Sequence, residues 1–176
     1  MNKHRVPRKL ILLALSSLLA VFPFPWEGVA TAAHEGERVF THDDQYIQLE
    51  AVLVPGENKA QFGLEIVLTP KPGWKLLVDN SSGSKPLRLK FSPGKCLKLK
   101  GKTRIPAPDL AGTDESGAYS EYFTKEAIIR QEFTRLGCGQ KKGGEGSASL
   151  SYLLCQDNKC VGPFSREMRF RAPEQR

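Results

Sequence analysis

The sequence is short of the residues that most often carry chemistry: 176 residues hold three His, four Cys, two Met and two Trp. Beyond residue 33 only His34 and His42 remain, so a three-histidine zinc centre cannot be assembled from that part of the chain. A Ser-His-Asp triad would have to recruit His42, and nothing around it points that way. The Gly-rich stretch from Gly137-Cys138-Gly139 to Gly143-Gly144-Glu145-Gly146 lacks the order of a phosphate loop and opens no helix, so it reads as a hairpin loop. No cofactor and no metal ion is therefore expected. Capped helical patterns are missing as well, which removes the helical classes. What is present is a 40% apolar fraction with nine Phe and four Tyr, enough for a packed core.

Long apolar runs are also scarce, with one exception at the start. Lys3, Arg5, Arg8 and Lys9 precede an almost uninterrupted apolar stretch from Leu10 to Phe24. As a helix that stretch would span about 22 Å, short of a hydrocarbon core of about 30 Å. Pro23 and Pro25 break any continuation, and Ala30-Thr31-Ala32 supplies the small-x-small pattern read by signal peptidase. Residues 1–33 are thus expected to be a signal peptide cleaved near Ala32 or Ala33, with 34–176 as the exported domain. A retained membrane anchor is the competing reading. No Cys follows the run, so no lipid attachment is expected there. The expected location is the periplasm or the medium, with no stable membrane insertion after cleavage.

Setting the leader aside lowers the charge. Residues 34–176 keep 22 Lys+Arg against 18 Asp+Glu, a net +4, which is too weak a bias to imply nucleic acid. The densest basic strip is Lys95, Lys98, Lys100, Lys102 and Arg104, interleaved with Leu97 and Leu99. That alternation fits a half-buried strand whose charged face discourages edge pairing better than it fits an anion site.

From residue 45 the dominant period is two. Ile47, Leu49, Ala51 and Leu53 alternate with other side chains before Pro55-Gly56-Glu57-Asn58; Phe62, Leu64, Ile66 and Leu68 do so before Pro70-Lys71-Pro72-Gly73. Similar patterns follow at Trp74–Val78, Leu87–Phe91, Leu97–Leu99, Tyr119–Phe123, Ile128–Leu136, Ala148–Leu154 and Met168–Phe170. Residues 101–118, with two Pro and three Gly, read as a long excursion. Eight or nine short strands with turn signals between them predict an all-β, immunoglobulin-like antiparallel β-sandwich forming a single domain.

The cysteines carry most of the remaining information. Cys96, Cys138, Cys155 and Cys160 all lie in the exported part, where disulfides persist, and four Cys allow three pairings. A Cys155–Cys160 bridge would close six residues and contribute about 2 kcal/mol; a Cys96–Cys138 bridge would close 43 and contribute about 4 kcal/mol. The longer loop suits a staple, whereas a reversible bridge at 155–160 would cost the fold little. An exposed ring at Cys155-Gln156-Asp157-Asn158-Lys159-Cys160 could be attacked by a partner thiolate, with Lys159 favouring the Cys160 thiolate and Asp157 opposing it.

Tyr152-Leu153-Leu154-Cys155, the second Cys at 160, Val161-Gly162-Pro163-Phe164 and the closing Met168-Arg169-Phe170 resemble the terminal signature of the DsbD N-terminal domain family. Pro72-Gly73-Trp74, followed by a Ser/Gly-rich loop and Pro86-Leu87, is similar to another of its segments, and the resemblance covers most of residues 40–172. It implies a periplasmic immunoglobulin-like module for thiol–disulfide interchange. Cys160 would form the mixed disulfide, Cys155 would resolve it, and Cys96–Cys138 would be structural. Asp114 and Glu115 would belong to an acidic cap loop over the cysteines. The family's aromatic cap residue would fall near Ser116, which leaves shielding to Tyr119. The usual Pro after the second Cys is displaced to Pro163. The implied partners are a thioredoxin-like or membrane thiol–disulfide reductase and oxidised periplasmic proteins. The rival reading is a non-catalytic periplasmic binding or assembly sandwich whose four Cys are all structural.

Overall fold

Why the period-two segments become strands is visible in what each buries. In the computed structural model, which describes residues 36–80, 86–113, 117–137, 144–157 and 159–173, β2 (Ile47–Pro55) and β3 (Gln61–Pro70) turn Ile47, Leu49, Leu53, Phe62, Leu64, Ile66 and Leu68 almost wholly out of solvent. The turn between them is closed by Gly56 N–H to the Gln61 carbonyl and by the Asn58 side chain accepting from Ala60 N–H. Gly56 is required there, because an added Cβ would lie 2.6 Å from the Gln61 backbone.

Eleven strands occur among the described residues, all paired antiparallel. One sheet runs β1 (Glu37–Asp43), β2, β3, β9 (Ala127–Arg135), β6 (Leu97–Arg104). The other runs β11 (Lys159–Arg171), β10 (Glu145–Gln156), β4 (Lys75–Asn80), β8 (Tyr119–Phe123), β7 (Leu110–Thr113), with β5 (Arg88–Pro93) also on β10. The sheets meet through an aromatic cluster. Phe133 of β9 stacks on Phe62 at 5.3 Å and meets Phe170 and Phe91 of the opposite sheet at 5.2 and 5.8 Å. The chain is an immunoglobulin-like β-sandwich, as the alternation predicted. These strands belong to one compact unit, His34–Arg176, whereas the expected signal peptide lies outside the described residues.

Three expectations about the strands need correction. Residues 101–118 are not one excursion: β6 continues to Arg104 and β7 forms at Leu110–Thr113. β6 hides its continuation because its ladder breaks between Lys100 and Arg104, around Gly101 at φ 69°. The buried Gln131 amide fills that gap, donating to the Lys100 carbonyl and accepting from the Thr103 hydroxyl. β7 is a sheet edge with all four residues exposed, so it has no apolar alternation to read. β1 was missed because a register shift between Arg38 and Phe40 puts the adjacent Val39 and Phe40, not alternate residues, against the core, and β11 spans thirteen residues instead of the Met168–Phe170 core alone. The basic strip is an edge strand, as expected, and is partly neutralised by Lys100 on Glu57 and Glu132 and by Arg104 on Glu132.

Phe133 joins both sheets, so Phe133→Ala should lower unfolding free energy by about 3–5 kcal/mol in a urea titration. Tyr119→Ala, at an exposed position at the start of β8, should change it by no more than about 0.5 kcal/mol.

Candidate functional site

The Cys155–Cys160 segment is the tip of the longest hairpin in the described structure. β10 and β11 pair Gln156 with Lys159 and Cys155 directly with Cys160, and the turn holds Asp157 at φ 51°, a conformation that Asp tolerates better than most residues. The two cysteines are disulfide-bonded with Cα atoms 4.0 Å apart. On β10 the even positions Ala148, Leu150, Tyr152 and Leu154 fill the core, so Cys155 has the outward parity, yet it is only 2% exposed. Cys160 is exposed. One sulfur-bearing residue is thus covered and its bonded neighbour faces water.

Local sequence sets this arrangement. The β10–β11 register shifts between Tyr152 and Leu154, opposite Gly162-Pro163, whose peptide bond is cis. Gly162 has φ 113°, and a Cβ there would lie 2.9 Å from Phe164 N and 3.1 Å from the Tyr152 carbonyl. Only glycine fits that approach, and Pro163 is tolerated because β11 is an edge. On the other side of β10, Cys155 pairs with Lys75 of β4. The preceding turn, Lys71 to Trp74, is closed by Trp74 N–H to the Lys71 carbonyl, with Gly73 at φ 85°. A Cβ on Gly73 would come within 3.1 Å of the Gln156 side-chain nitrogen, so the Pro72-Gly73-Trp74 turn abuts the cysteine hairpin.

An aromatic run leads from that turn along the edge of the sandwich. Trp74 meets Tyr46 edge-on at 4.8 Å, Tyr46 meets Phe164 at 5.7 Å, and Phe164 meets Tyr152 at 5.4 Å. Beside it sits a polar cluster drawn from both sheets. Asp44 accepts from Tyr46 N–H and Ile47 N–H, and its second oxygen lies 2.8 Å from His42 Nε2. Arg166 Nη2 of β11 lies 2.9 Å from the same His42 nitrogen and 3.9 Å from Asp44. Burial alone would raise the Asp44 carboxyl, but the hydrogen bonds from Tyr46, His42 and Ile47 outweigh it and hold the carboxyl below its ordinary range. Tyr152 is fully buried with its hydroxyl unpartnered; burial first, and then the Asp44 charge, push its phenol up, against the pull of Arg166. None of this polar cluster was singled out from the sequence as a functional group, because His42 and Arg166 are 124 positions apart.

The remaining predicted residues are not gathered at the hairpin. Cys96 is disulfide-bonded and lies at the opposite pole, its carbonyl accepting from Leu136 N–H; its expected partner Cys138 lies outside the described residues. Asp114 and Glu115 also lie outside them. Tyr119 is placed, and it does not supply the shielding expected of it. β4 pairs Lys75 with Cys155 at one end and Asn80 with Ser120 at the other, so Tyr119 sits about 17 Å further along the strand, beyond Asn80. Tyr119 is 45% exposed and its hydroxyl bonds Glu121. Among the described residues no group of three or more His, Cys, Asp or Glu side chains is placed to hold a metal ion.

No protein-family model and no curated protein sequence matches the chain. Among solved structures it is similar to the GAE domain of yeast GGA1, at 11% identity and a TM-score of 0.43, over 76% of this chain and 97% of that one.

Two measurements follow from this geometry. After reduction, iodoacetamide should modify Cys160 before Cys155, as read by peptide mass spectrometry at short times, because only one of the two is open to solvent. Asp44→Ala leaves two backbone N–H groups without their acceptor and should cost about 1–3 kcal/mol at neutral pH. The folded-state pKa of Asp44 is lowered, so its contribution is complete above the unfolded value of about 3.9 and is lost as pH falls through the folded value. The unfolding midpoints of wild type and variant should therefore converge in strong acid.

Proposed function

We propose that this chain is an exported thiol–disulfide exchange module that relays reducing equivalents through Cys155 and Cys160. Its donor would be a thioredoxin-like or membrane thiol–disulfide reductase, and its acceptors oxidised periplasmic proteins. The observation that carries the reading is the unequal burial of a directly paired disulfide, Cys160 exposed and Cys155 2% exposed.

Exchange requires a thiolate to reach one sulfur while the other leaves. A donor thiolate attacks Cys160 Sγ, forms a mixed disulfide with it, and the bond to Cys155 breaks with its electron pair on Cys155 Sγ. The donor's second thiolate then attacks the donor sulfur of the mixed disulfide and frees Cys160. Two electrons and, after protonation, two protons have moved to this chain, and the donor is left oxidised. In the delivery step Cys160 attacks the target disulfide and displaces one target thiolate. Cys155, 4.0 Å away between Cα atoms, then attacks Cys160 Sγ and releases the second. Burial keeps the resolving sulfur from foreign thiols while the short cross-strand spacing keeps it within reach of its partner. The resemblance at the hairpin and at Pro72-Gly73-Trp74, two segments that lie against each other, supports the same assignment.

The test is exchange with a reduced thioredoxin-like donor together with the equilibrium reduction potential of the pair. Cys160→Ser should abolish exchange while losing only about 2 kcal/mol of stability, and Cys96→Ser should lower the melting temperature and spare exchange. A potential above about −300 mV is expected; one below it, with no exchange by the unmodified chain, would favour the non-catalytic binding or assembly sandwich instead.

A further inference from the structure

A second concavity lies at the pole opposite the cysteine hairpin, where β2 and β9 end. It has a volume of about 480 Å³ and is lined by Leu53, Pro55, Phe62 and Pro173 on its apolar side and by Gln61 and Arg135 among its polar groups. Ligand sites commonly combine an apolar wall with a few fixed polar groups at this size. Arg135 is the last residue of β9, tied down by its own N–H to the Ala60 carbonyl. Its Nη1 donates to the Lys59 carbonyl at 3.3 Å and its Nη2 donates to the Pro173 carbonyl, while the guanidinium carbon stands 5.7 Å from the centre of the Phe62 ring.

Those contacts fix the guanidinium but cancel none of its charge. The carbonyls are neutral, Nε is buried with no partner, and each Nη nitrogen keeps a second hydrogen. No carboxylate is in ion-pair contact with Arg135 among the described residues. Burial also presses the guanidinium below its ordinary value, as expected for a cation removed from water without a counter-charge. A charge held in this way is costly to the fold unless an anion meets it. Elsewhere in the same sheet the three other Arg-bearing ladder positions are matched, Arg38 by Glu50, Arg130 by Glu65 and Arg104 by Glu132.

We propose that this groove binds a small carboxylic acid with an apolar body, the carboxylate against the Arg135 guanidinium and the hydrocarbon over Leu53 and Phe62. The lining also carries Lys59 and Glu37, whose opposite charges offset one another, so the groove as a whole bears a single positive charge and suits a monoanion better than a phosphate dianion. The site is independent of the thiol chemistry at the other pole.

The experiment is a titration of the ¹⁵N-labelled full chain with hexanoate and, in parallel, with hexan-1-ol, which has the same hydrocarbon and no charge. Hexanoate should shift the Arg135 Nε–H resonance and the Gly56 and Gln61 amides, and should bind at least about tenfold more tightly than the alcohol, the value of one charge-assisted contact. Arg135→Gln should remove that preference, and Glu37→Gln should strengthen hexanoate binding. If Arg135→Gln does not fold, the acid-to-alcohol ratio in the unmodified chain decides the matter. Equal affinities for acid and alcohol, or shifts that bypass Arg135, would overturn the proposal.

Discussion

The structure depends on β10 being hydrogen-bonded along both of its sides. β11 pairs with nearly its whole length, while β5 takes the first half of the opposite side and β4 takes the end that carries Cys155. A strand held in this way has no free edge, and its even positions can be committed to the core: Ala148, Leu150, Tyr152 and Leu154 are all fully buried. Cys155 inherits that rigidity. Its neighbour across the hairpin does not, because β11 is an edge and its residue 160 faces solvent. The difference between a central and an edge strand is thus what makes the two halves of one disulfide unlike each other.

The two poles of the sandwich hold different chemistry for reasons that begin in the turns. At the hairpin pole, Gly73 and Gly162 are placed where a Cβ would press on Gln156 and on the β10–β11 backbone, so two turns close tightly around the sulfurs. At the other pole the ends of β2 and β9 and the segment at Pro173 diverge, and the gap between them is the groove that contains Arg135. Disulfides occur at both poles, Cys155–Cys160 at the first and the bonded Cys96 at the second. The first closes a ring too small to constrain much of the unfolded chain, which leaves it free for another use.

Between the sheets, His42, Asp44 and Arg166 tie β1 and the turn after it to β11. The carboxylate of Asp44 is the organising group, since it accepts from two backbone N–H groups and from a side chain of its own strand region while facing the arginine. Tyr152 lies under this cluster with its hydroxyl buried and unpartnered, a polar atom that ordinarily finds a partner when buried. The aromatic run from Trp74 through Tyr46 and Phe164 to Tyr152 connects this cluster to the turn beside the disulfide.

Alternation by itself determined the fold class, the positions of β2, β3, β9 and β10, and the core residues upon them, because a strand with one face buried must place apolar side chains at every second residue. Spacing and turn chemistry alone also marked Cys155-Gln156-Asp157-Asn158-Lys159-Cys160 as a turn across which two cysteines could close a ring, with the pairing left open. The edge strands β1 and β7 were not legible: β7 is exposed throughout and has no reason to alternate, and β1 packs only the adjacent Val39 and Phe40 on the core across a register shift. The placement of Tyr119 was equally hidden: the register of β4 sends it to the end of the strand far from Cys155. The pairing of His42 with Arg166, the unequal burial of Cys155 and Cys160, and the uncompensated charge of Arg135 all follow from which strands lie in the middle of a sheet and which at its rim. That is settled only when distant segments close on one another, so the tertiary structure, and not the local pattern, decided it.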